Sequence, residues 1–249
     1  MLTRPASLAS VRETFSRWIA GMVGLMRSML PSFTLLTSRV AALLLCLTLA
    51  VAPAQVPAEA ADPIRILAFG DSLTAGYGLS EAQSLPAQLA DALNNMGRPV
   101  TVINGGVSGD TTADGLTRID WALADKPQIM ILALGGNDML RGVDPGTTRA
   151  NLDAIIEKAK AQGVEIVLAG MLAPPNLGAQ YKAAFDAIYP DLAEAHNLLL
   201  MPFLLQDVAQ ISGLNQGDGI HPNGDGVAVM VHNLLPYVTE AMDRVEHAS

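Results

Sequence analysis

Short apolar runs alternate with longer amphipathic segments from residue 64 onward, and this alternation restricts the folds open to the chain. The apolar runs predict five strands, at residues 64–69, 100–104, 129–134, 165–169 and 198–201. Apolar residues spaced three or four apart predict helices at residues 85–96, 113–124, 147–162, 179–196 and 224–244. Strands that alternate with helices and are continuously apolar indicate a parallel sheet covered on both faces.

Length and charge indicate one acidic domain behind a separate N-terminal segment. The chain has 249 residues, half of them hydrophobic, which suits one sizeable domain. Its net charge is −9; residues 1–61 hold five arginines and two acids, which leaves ten basic and 22 acidic side chains, a charge of −12, in residues 62–249. Such a surface repels phosphate backbones and anionic head groups, so we expect no nucleic-acid partner and no electrostatic membrane binding.

Residues 1–61 have the pattern of a targeting segment. Arg39 precedes an apolar run of 12 residues, and residues 58–60 form a small-residue A-x-A pattern. The run is shorter than the roughly 20 residues of a spanning helix, which favours a cleaved secretory signal over an uncleaved membrane anchor. We therefore expect a signal peptide and N-terminal extension at 1–61, one folded domain at 62–249, a periplasmic or secreted location, and no stable membrane anchor after cleavage.

Cys46 is the only cysteine, and it lies in that apolar run. Cleavage of the segment would leave a mature chain without cysteine. Disulfides, thiolate metal sites and a cysteine nucleophile are then excluded, and stability must come from packing.

Three glycine-rich polar loops follow the first three predicted strands, at residues 70–73, 105–111 and 135–138. Because ligands bind outside the carboxyl ends of parallel strands, we expect these loops to face one crevice. Ser72 lies in the first loop, on a sharp turn that would expose its hydroxyl. A helix N-cap is the alternative role for a serine at this position.

The segment Asp218-Gly-Ile-His221 provides a distant acid and base. Pro222 keeps His221 away from the helical region, and Asn223 is placed to cap the last helix. Asp218, three residues before the histidine, is placed to accept a hydrogen bond from the imidazole. The alternative is a plain turn followed by a helix cap.

An acyl-transfer site also needs donors for an oxyanion. The candidates are the backbone amides of Ser72 and Gly109 and the side-chain amide of Asn137. A plain turn before a helix capped by Asp110 or Thr111 is the alternative for Gly109. A left-handed turn residue is the alternative for Asn137.

Four sequence blocks in this order resemble the signature of the SGNH (GDSL) hydrolases, most closely their secreted acyl-CoA thioesterase I, lysophospholipase L1 and arylesterase group. The blocks are residues 70–78 (GDSLTAGYG), 108–111 (SGDT), 134–138 (LGGND) and 218–223 (DGIHPN). The resemblance extends from about residue 64 to residue 238. It implies a flavodoxin-like three-layer α/β/α sandwich around a five-stranded parallel sheet.

The resemblance also implies roles for individual residues. Ser72 would be the nucleophile, His221 the general base and Asp218 its orienting partner, while Ser72, Gly109 and Asn137 would form the oxyanion hole. The reaction would be hydrolysis of a small-molecule ester, thioester or lipid through an acyl-serine, without any cofactor or metal. Apolar residues that are candidates for an acyl pocket, with core packing as the alternative, are Met139, Leu140, Met171, Leu172 and Leu177.

Two other function classes are compatible with parts of the sequence. Asp71, Asp110, Asp138, Asp218 and His221 could cluster at one sheet edge as a metal-dependent phosphoesterase site. A flavodoxin-like binding module without catalysis would have the same fold. Chelation tests the first alternative and covalent labelling of Ser72 tests the second.

Overall fold

The computed structural model describes residues 62–248, which form a five-stranded parallel sheet between two layers of helices. The strands are β1 (Ile64–Gly70), β2 (Val100–Gly106), β3 (Ile129–Ala133), β4 (Glu165–Ala169) and β5 (Leu199–Met201). Their order is β2-β1-β3-β4-β5, and every neighbouring pair is parallel. The predicted sheet and its three-layer sandwich are confirmed.

Strand register brings three loops to one place. Gly70, the last residue of β1, is paired with Gly106 of β2 and with Ala133 of β3. The three strands therefore end level with one another, and β1 lies where the strand order reverses. This switch point is where parallel sheets bind ligands.

Eight α-helices in residues 62–248 connect and cover the strands. They are α1 (Ser72–Ala75), α2 (Leu85–Asn95), α3 (Thr112–Leu123), α4 (Gly136–Leu140), α5 (Pro145–Ala161), α6 (Ala179–Asp186), α7 (Ile188–His196) and α8 (Gly224–Ala248). Helices α3, α5 and α7 pack on one face of the sheet, against side chains such as Leu67 and Phe69. Helices α2 and α8 pack on the other face, against side chains such as Ile66. Within these residues, no helix is long and apolar enough to cross a bilayer.

The single helix predicted at residues 179–196 is wrong, because the structure has two helices there. The pattern at 179–196 predicted a single helix, but α6 ends at Asp186 and α7 begins at Ile188. Pro190 lacks an N–H group and its ring would clash with the carbonyl of Asp186, four residues earlier, so the helical ladder breaks at Ala187. The short helices α1 and α4, which carry site residues, were not predicted because each is under two turns long.

Candidate active site

The turn after β1 places Ser72 at the start of α1. Asp71 caps this helix, its Oδ1 accepting a hydrogen bond of 3.0 Å from the Leu73 amide. Ser72 is therefore not the N-cap, and that alternative is wrong. Neighbouring strands approach this turn so closely that a Cβ on Gly70 would lie 2.7 Å from the carbonyl oxygen of Ala133. A side chain at Gly70 would push the turn that carries Ser72 away from β3.

Ser72, His221 and Asp218 form a continuous chain of hydrogen bonds. The distance from Ser72 Oγ to His221 Nε2 is 3.0 Å, and that from His221 Nδ1 to Asp218 Oδ2 is 2.7 Å. A carboxylate partner makes Nδ1 the donor, which leaves Nε2 to accept the serine proton. The plain-turn alternative for the Asp218–His221 pair is therefore wrong, although Asn223 does cap α8 through the Gly226 amide.

Asp218 is held as a carboxylate. Hydrogen bonds from the backbone amides of His221 and Ile220, and then from the imidazole, lower the pKa of Asp218 from 3.8 to about 2. Its Oδ1 accepts the two amides at 3.0 and 2.9 Å, while Oδ2 faces the histidine ring. The acid is thus negative at neutral pH and fixed by its own loop.

The loops after β2 and β3 bring Gly109 and Asn137 toward Ser72. Asn137 lies in α4, so the left-handed turn alternative is wrong, and its Nδ2 donates to the Asp110 carbonyl at 3.0 Å and to Asp71 Oδ2 at 3.3 Å. Gly109 adopts φ +89°, in the left-handed region that favours glycine, within a turn that precedes α3. Within residues 62–248, the backbone amides of Ser72 and Gly109 donate no hydrogen bond, so both are open to a substrate oxygen.

Arg118, which sequence analysis missed, ties the strand ends together. Its guanidinium donates to Asp110 Oδ2 at 2.6 Å, to the Gly105 carbonyl at 2.8 Å and to the Gly70 carbonyl at 2.9 Å. The same group lies 4.1 Å above the centre of the Phe69 ring. Only its place on the inner face of predicted helix 113–124 could have indicated this role.

Asp71 is a second residue of the site whose place was not predicted; the sequence had suggested it only as a ligand in the metal-site alternative. It is 3% exposed, and burial raises the pKa of its carboxyl from 3.8 to about 6, against the lowering effects of the Leu73 amide, His221 and Asn137. The carboxyl group joins the turn that carries Ser72 to Asn137. The position of Asp71 next to Ser72 could have indicated that it belongs to the site. The burial of its carboxyl group could not be read from the sequence.

A cavity of about 170 Å³ opens beside Ser72 and His221. Its apolar lining includes three of the predicted acyl-pocket residues, Met139, Leu140 and Met171, together with Leu205 and Ile220. Leu172 and Leu177 do not line it. A larger groove of about 400 Å³ lies between β5 and α8, but no serine lies within its lining, so the smaller cavity is the one adjacent to the chemistry.

The carboxylates of the metal-site alternative do not converge. Asp110 pairs with Arg118, and Asp138 accepts hydrogen bonds from the amide and hydroxyl of Thr112. Asp218 faces His221. Across the described range 62–248, no group of three or more His, Cys, Asp or Glu side chains is placed to hold a metal ion.

Comparison with known proteins agrees with this geometry. The family model described as "GDSL-like Lipase/Acylhydrolase family" matches residues 68–229. The chain is 38% identical to "Esterase TesA" of Pseudomonas aeruginosa over 192 residues, 77% of this chain and 93% of that protein. It is 41% identical to "Thioesterase 1/protease 1/lysophospholipase L1" of Escherichia coli K12 over 169 residues, covering 68% and 79% of the two chains.

A solved structure is similar as well. The crystal structure of AlinE4, described as an SGNH-hydrolase family esterase, superposes with a TM-score of 0.62 at 49% identity, over 72% of this chain and 97% of that one. Family match, relatives and fold are thus in agreement. The chain belongs to the GDSL-like lipase/acylhydrolase family, the SGNH hydrolases, and is a serine hydrolase that acts on ester bonds.

Proposed function

We propose that Ser72 is the nucleophile, His221 the general base and Asp218 the residue that orients the imidazole. The observation that carries this proposal is the 3.0 Å hydrogen bond between Ser72 Oγ and His221 Nε2, together with the 2.7 Å bond from the same imidazole to Asp218. Nucleophile, base and orienting acid in this arrangement are the requirements of acyl transfer by serine.

The reaction proceeds in two halves. His221 takes the Ser72 proton as Oγ attacks the ester carbonyl, and then donates it to the departing alcohol or thiol. The acyl-serine is hydrolysed by a water molecule that the same histidine activates. The amides of Ser72 and Gly109 and the Asn137 side chain stabilise both tetrahedral oxyanions.

Asn137 must give up one hydrogen bond to take this role. Its Nδ2 has two hydrogens, which face the Asp110 carbonyl and Asp71 in the free site. The bond to Asp71 is the longer, at 3.3 Å, so this is the hydrogen we expect to turn to the oxyanion. No cofactor or metal takes part in these steps.

We propose small carboxylic esters and thioesters as substrates, with a short acyl chain in the cavity beside Ser72. A volume of about 170 Å³ and an apolar lining support this size and class, since pockets for drug-sized ligands run from about 300 to 1,000 Å³. A lysophospholipid would need its longer chain to extend over the rim residues Leu140 and Ile220, which are 61% and 53% exposed.

The test is a series of 4-nitrophenyl esters of increasing acyl length, hydrolysed by the wild type and by Ser72→Ala. We expect kcat/KM to peak at short chains, and Ser72→Ala to lose at least about 10³-fold of kcat. A fluorophosphonate should label the wild type and not the variant. Equal rates from the two proteins would remove Ser72 as nucleophile, and a silent, unlabelled wild type would favour the binding-module alternative.

We also propose that residues 1–61 are a signal peptide and extension and that residues 62–249 are the exported hydrolase domain. The prediction for residues 1–61 lies outside the described residues, and its support is the short apolar run and the A-x-A pattern. Intact mass and N-terminal sequence of the periplasmic protein from a Gram-negative host test it. Full-length protein in the membrane fraction would contradict cleavage and export.

A further inference from the structure

The loop that carries Asp218 and His221 is largely exposed. It lies between a 3₁₀ turn (Ser212–Leu214) and α8, and its residues 217–220 are all exposed. Ser72, by contrast, is carried by the end of a buried strand. The Ser72–His221 distance of 3.0 Å therefore has to be maintained between segments 149 residues apart, one of which has little core contact of its own.

Gln216 connects these two segments through one side-chain amide. Its Nε2 donates to the carbonyl of Tyr77 at 2.7 Å and to the carbonyl of Pro222 at 2.9 Å. Tyr77 follows the nucleophile helix α1, and Pro222 directly follows His221. Both hydrogens of the amide are thus used, one on each side of the Ser72–His221 pair.

The backbone of Gln216 fixes the same loop from within. Its N–H donates to the carbonyl of His221 at 2.7 Å, and its carbonyl accepts the amide of Gly219 at 3.0 Å. On the other side, Gly78 makes room for the side chain, because a Cβ there would lie 2.3 Å from Gln216 Oε1. The half-buried side chain of Gln216 therefore lies between the two segments that it joins.

We propose that Gln216 is the positioning residue that aligns His221 with Ser72, acting through the carbonyls of Tyr77 and Pro222 and not through contact with the substrate. This inference rests on the proposed catalytic roles of Ser72 and His221. Its physical basis is that a catalytic group displaced by about 1 Å can lose on the order of 10²-fold in rate. The side-chain amide has two N–H hydrogens, one for each carbonyl, whereas a carboxylate at this position would have no hydrogen to donate.

The experiment compares Gln216→Met with Gln206→Met. Methionine keeps the length of glutamine and removes its donors, and Gln206 is an exposed glutamine whose side-chain amide is hydrogen-bonded only to Asp207 among the described residues. With a neutral aryl ester, we expect Gln216→Met to lose about 10- to 100-fold of kcat with KM within twofold. The rate of labelling by a fluorophosphonate should fall by the same factor. Gln206→Met should match the wild type in both.

A double-mutant cycle with His221→Ala separates positioning from a general loss of structure. If Gln216 acts through His221, then adding Gln216→Met to His221→Ala should cause no further loss of the residual activity. An equal loss in both backgrounds would overturn the inference, as would an unchanged kcat in Gln216→Met. Rates are taken per folded molecule from urea unfolding curves, so a loss explained entirely by unfolded protein would also contradict it.

These outcomes are distinct from failure of the proposed function. If Ser72→Ala were as active as the wild type, the catalytic roles themselves would be wrong. If Ser72→Ala is inactive and Gln216→Met is fully active, only the role of Gln216 is wrong.

Discussion

Ser72, Gly109 and Asn137 lie just beyond the carboxyl ends of β1, β2 and β3, whereas Asp218 and His221 lie in a loop whose residues 217–220 are all exposed. We call these the strand side, formed by residues 70–73, 105–112 and 134–138, and the loop side, formed by residues 212–223. On the strand side, polar groups such as Thr112 and Asp138 are at most 1% exposed and hydrogen-bonded to each other. On the loop side, the proposed acid and base are held by hydrogen bonds within the loop and by the bond from Gln216 to the Tyr77 carbonyl.

The two sides have different requirements in the proposed reaction. Oxyanion donors act only if they point at a fixed place before charge develops there, and tight packing provides that preorganisation. The proposed acid and base, Asp218 and His221, are three residues apart, so their hydrogen bond forms within one loop. Only their position relative to Ser72 depends on contacts between distant segments. A site can therefore tolerate an exposed loop on one side if its alignment is fixed by a few polar contacts.

We expect the largest change in activity from a substitution on the loop side, Asp218→Asn. The substitution presents an amide to His221 Nδ1 and favours the wrong tautomer, so we expect kcat to fall by about 10⁴-fold. Because Asp218 is exposed, the urea midpoint should change little. Steady-state kinetics and unfolding curves measure both, and a loss of less than tenfold in kcat would remove Asp218 from its role.

On the strand side, Asn137→Ala is expected to cost about 10²- to 10³-fold in kcat, the usual cost of one oxyanion donor. The wild-type amide also bonds Asp71 and the Asp110 carbonyl, so stability should fall as well. A substitution on the strand side should therefore lower both kcat and the unfolding free energy, whereas Asp218→Asn on the loop side should lower kcat alone. Kinetics at saturating ester and urea unfolding on the same sample test it, and unchanged kcat would exclude Asn137 as a donor.

Asp71 should make stability depend on pH. Its folded pKa is raised from 3.8 to about 6, so its favourable contribution is complete below pH 4 and is lost as pH rises through 6. From pH 4 to pH 8, the unfolding free energy of Asp71→Asn should therefore gain about 3 kcal/mol relative to the wild type. Urea titrations of both proteins at each pH measure this difference. A difference that stays constant with pH would contradict the raised pKa.

Substitutions of two glycines give the most direct contrast between the two sides, and one of them gives the smallest expected effect. In Gly106→Ala, the new Cβ would lie 2.3 Å from the backbone nitrogen of Ala75, so we expect a loss of stability of about 1–3 kcal/mol or more. In Gly217→Ala, nothing lies within 4 Å, and we expect a change within about 0.5 kcal/mol. Thermal unfolding measures both. Equal losses would mean that the loop side is packed as tightly as the strand side.

Much of this architecture was predictable because it depends on local patterns. The five strands were predicted to within two residues at each end, since continuous apolar runs between turn residues determine them. The break at Ala187 was missed because the apolar spacing continues through it, although Pro190 was visible in the sequence. Ser72, Gly109, Asn137, Asp218 and His221 were identified from their sequence blocks, and the structure brings Ser72, Asp218 and His221 into one hydrogen-bonded chain.

Arg118 and Gln216 were missed because each of them joins segments that are distant in the sequence. Arg118 bonds three carbonyl or carboxylate groups at the ends of two strands, and Gln216 bonds a carbonyl 139 residues away. Neither belongs to a block with a chemical signature. Their contacts became visible only when the elements that they join were placed side by side.

The sequence by itself determined the alternation of strands and helices, the glycine turns after the strands, and the Asp218–His221 pair, because each depends on residues close together in the chain. The tertiary structure alone decided that Asp71 is buried, that Asn137 faces it, and that His221 stops 3.0 Å from Ser72. Burial, and with it the pKa of Asp71, is the combined effect of loops that are distant in sequence, so no local pattern contains it.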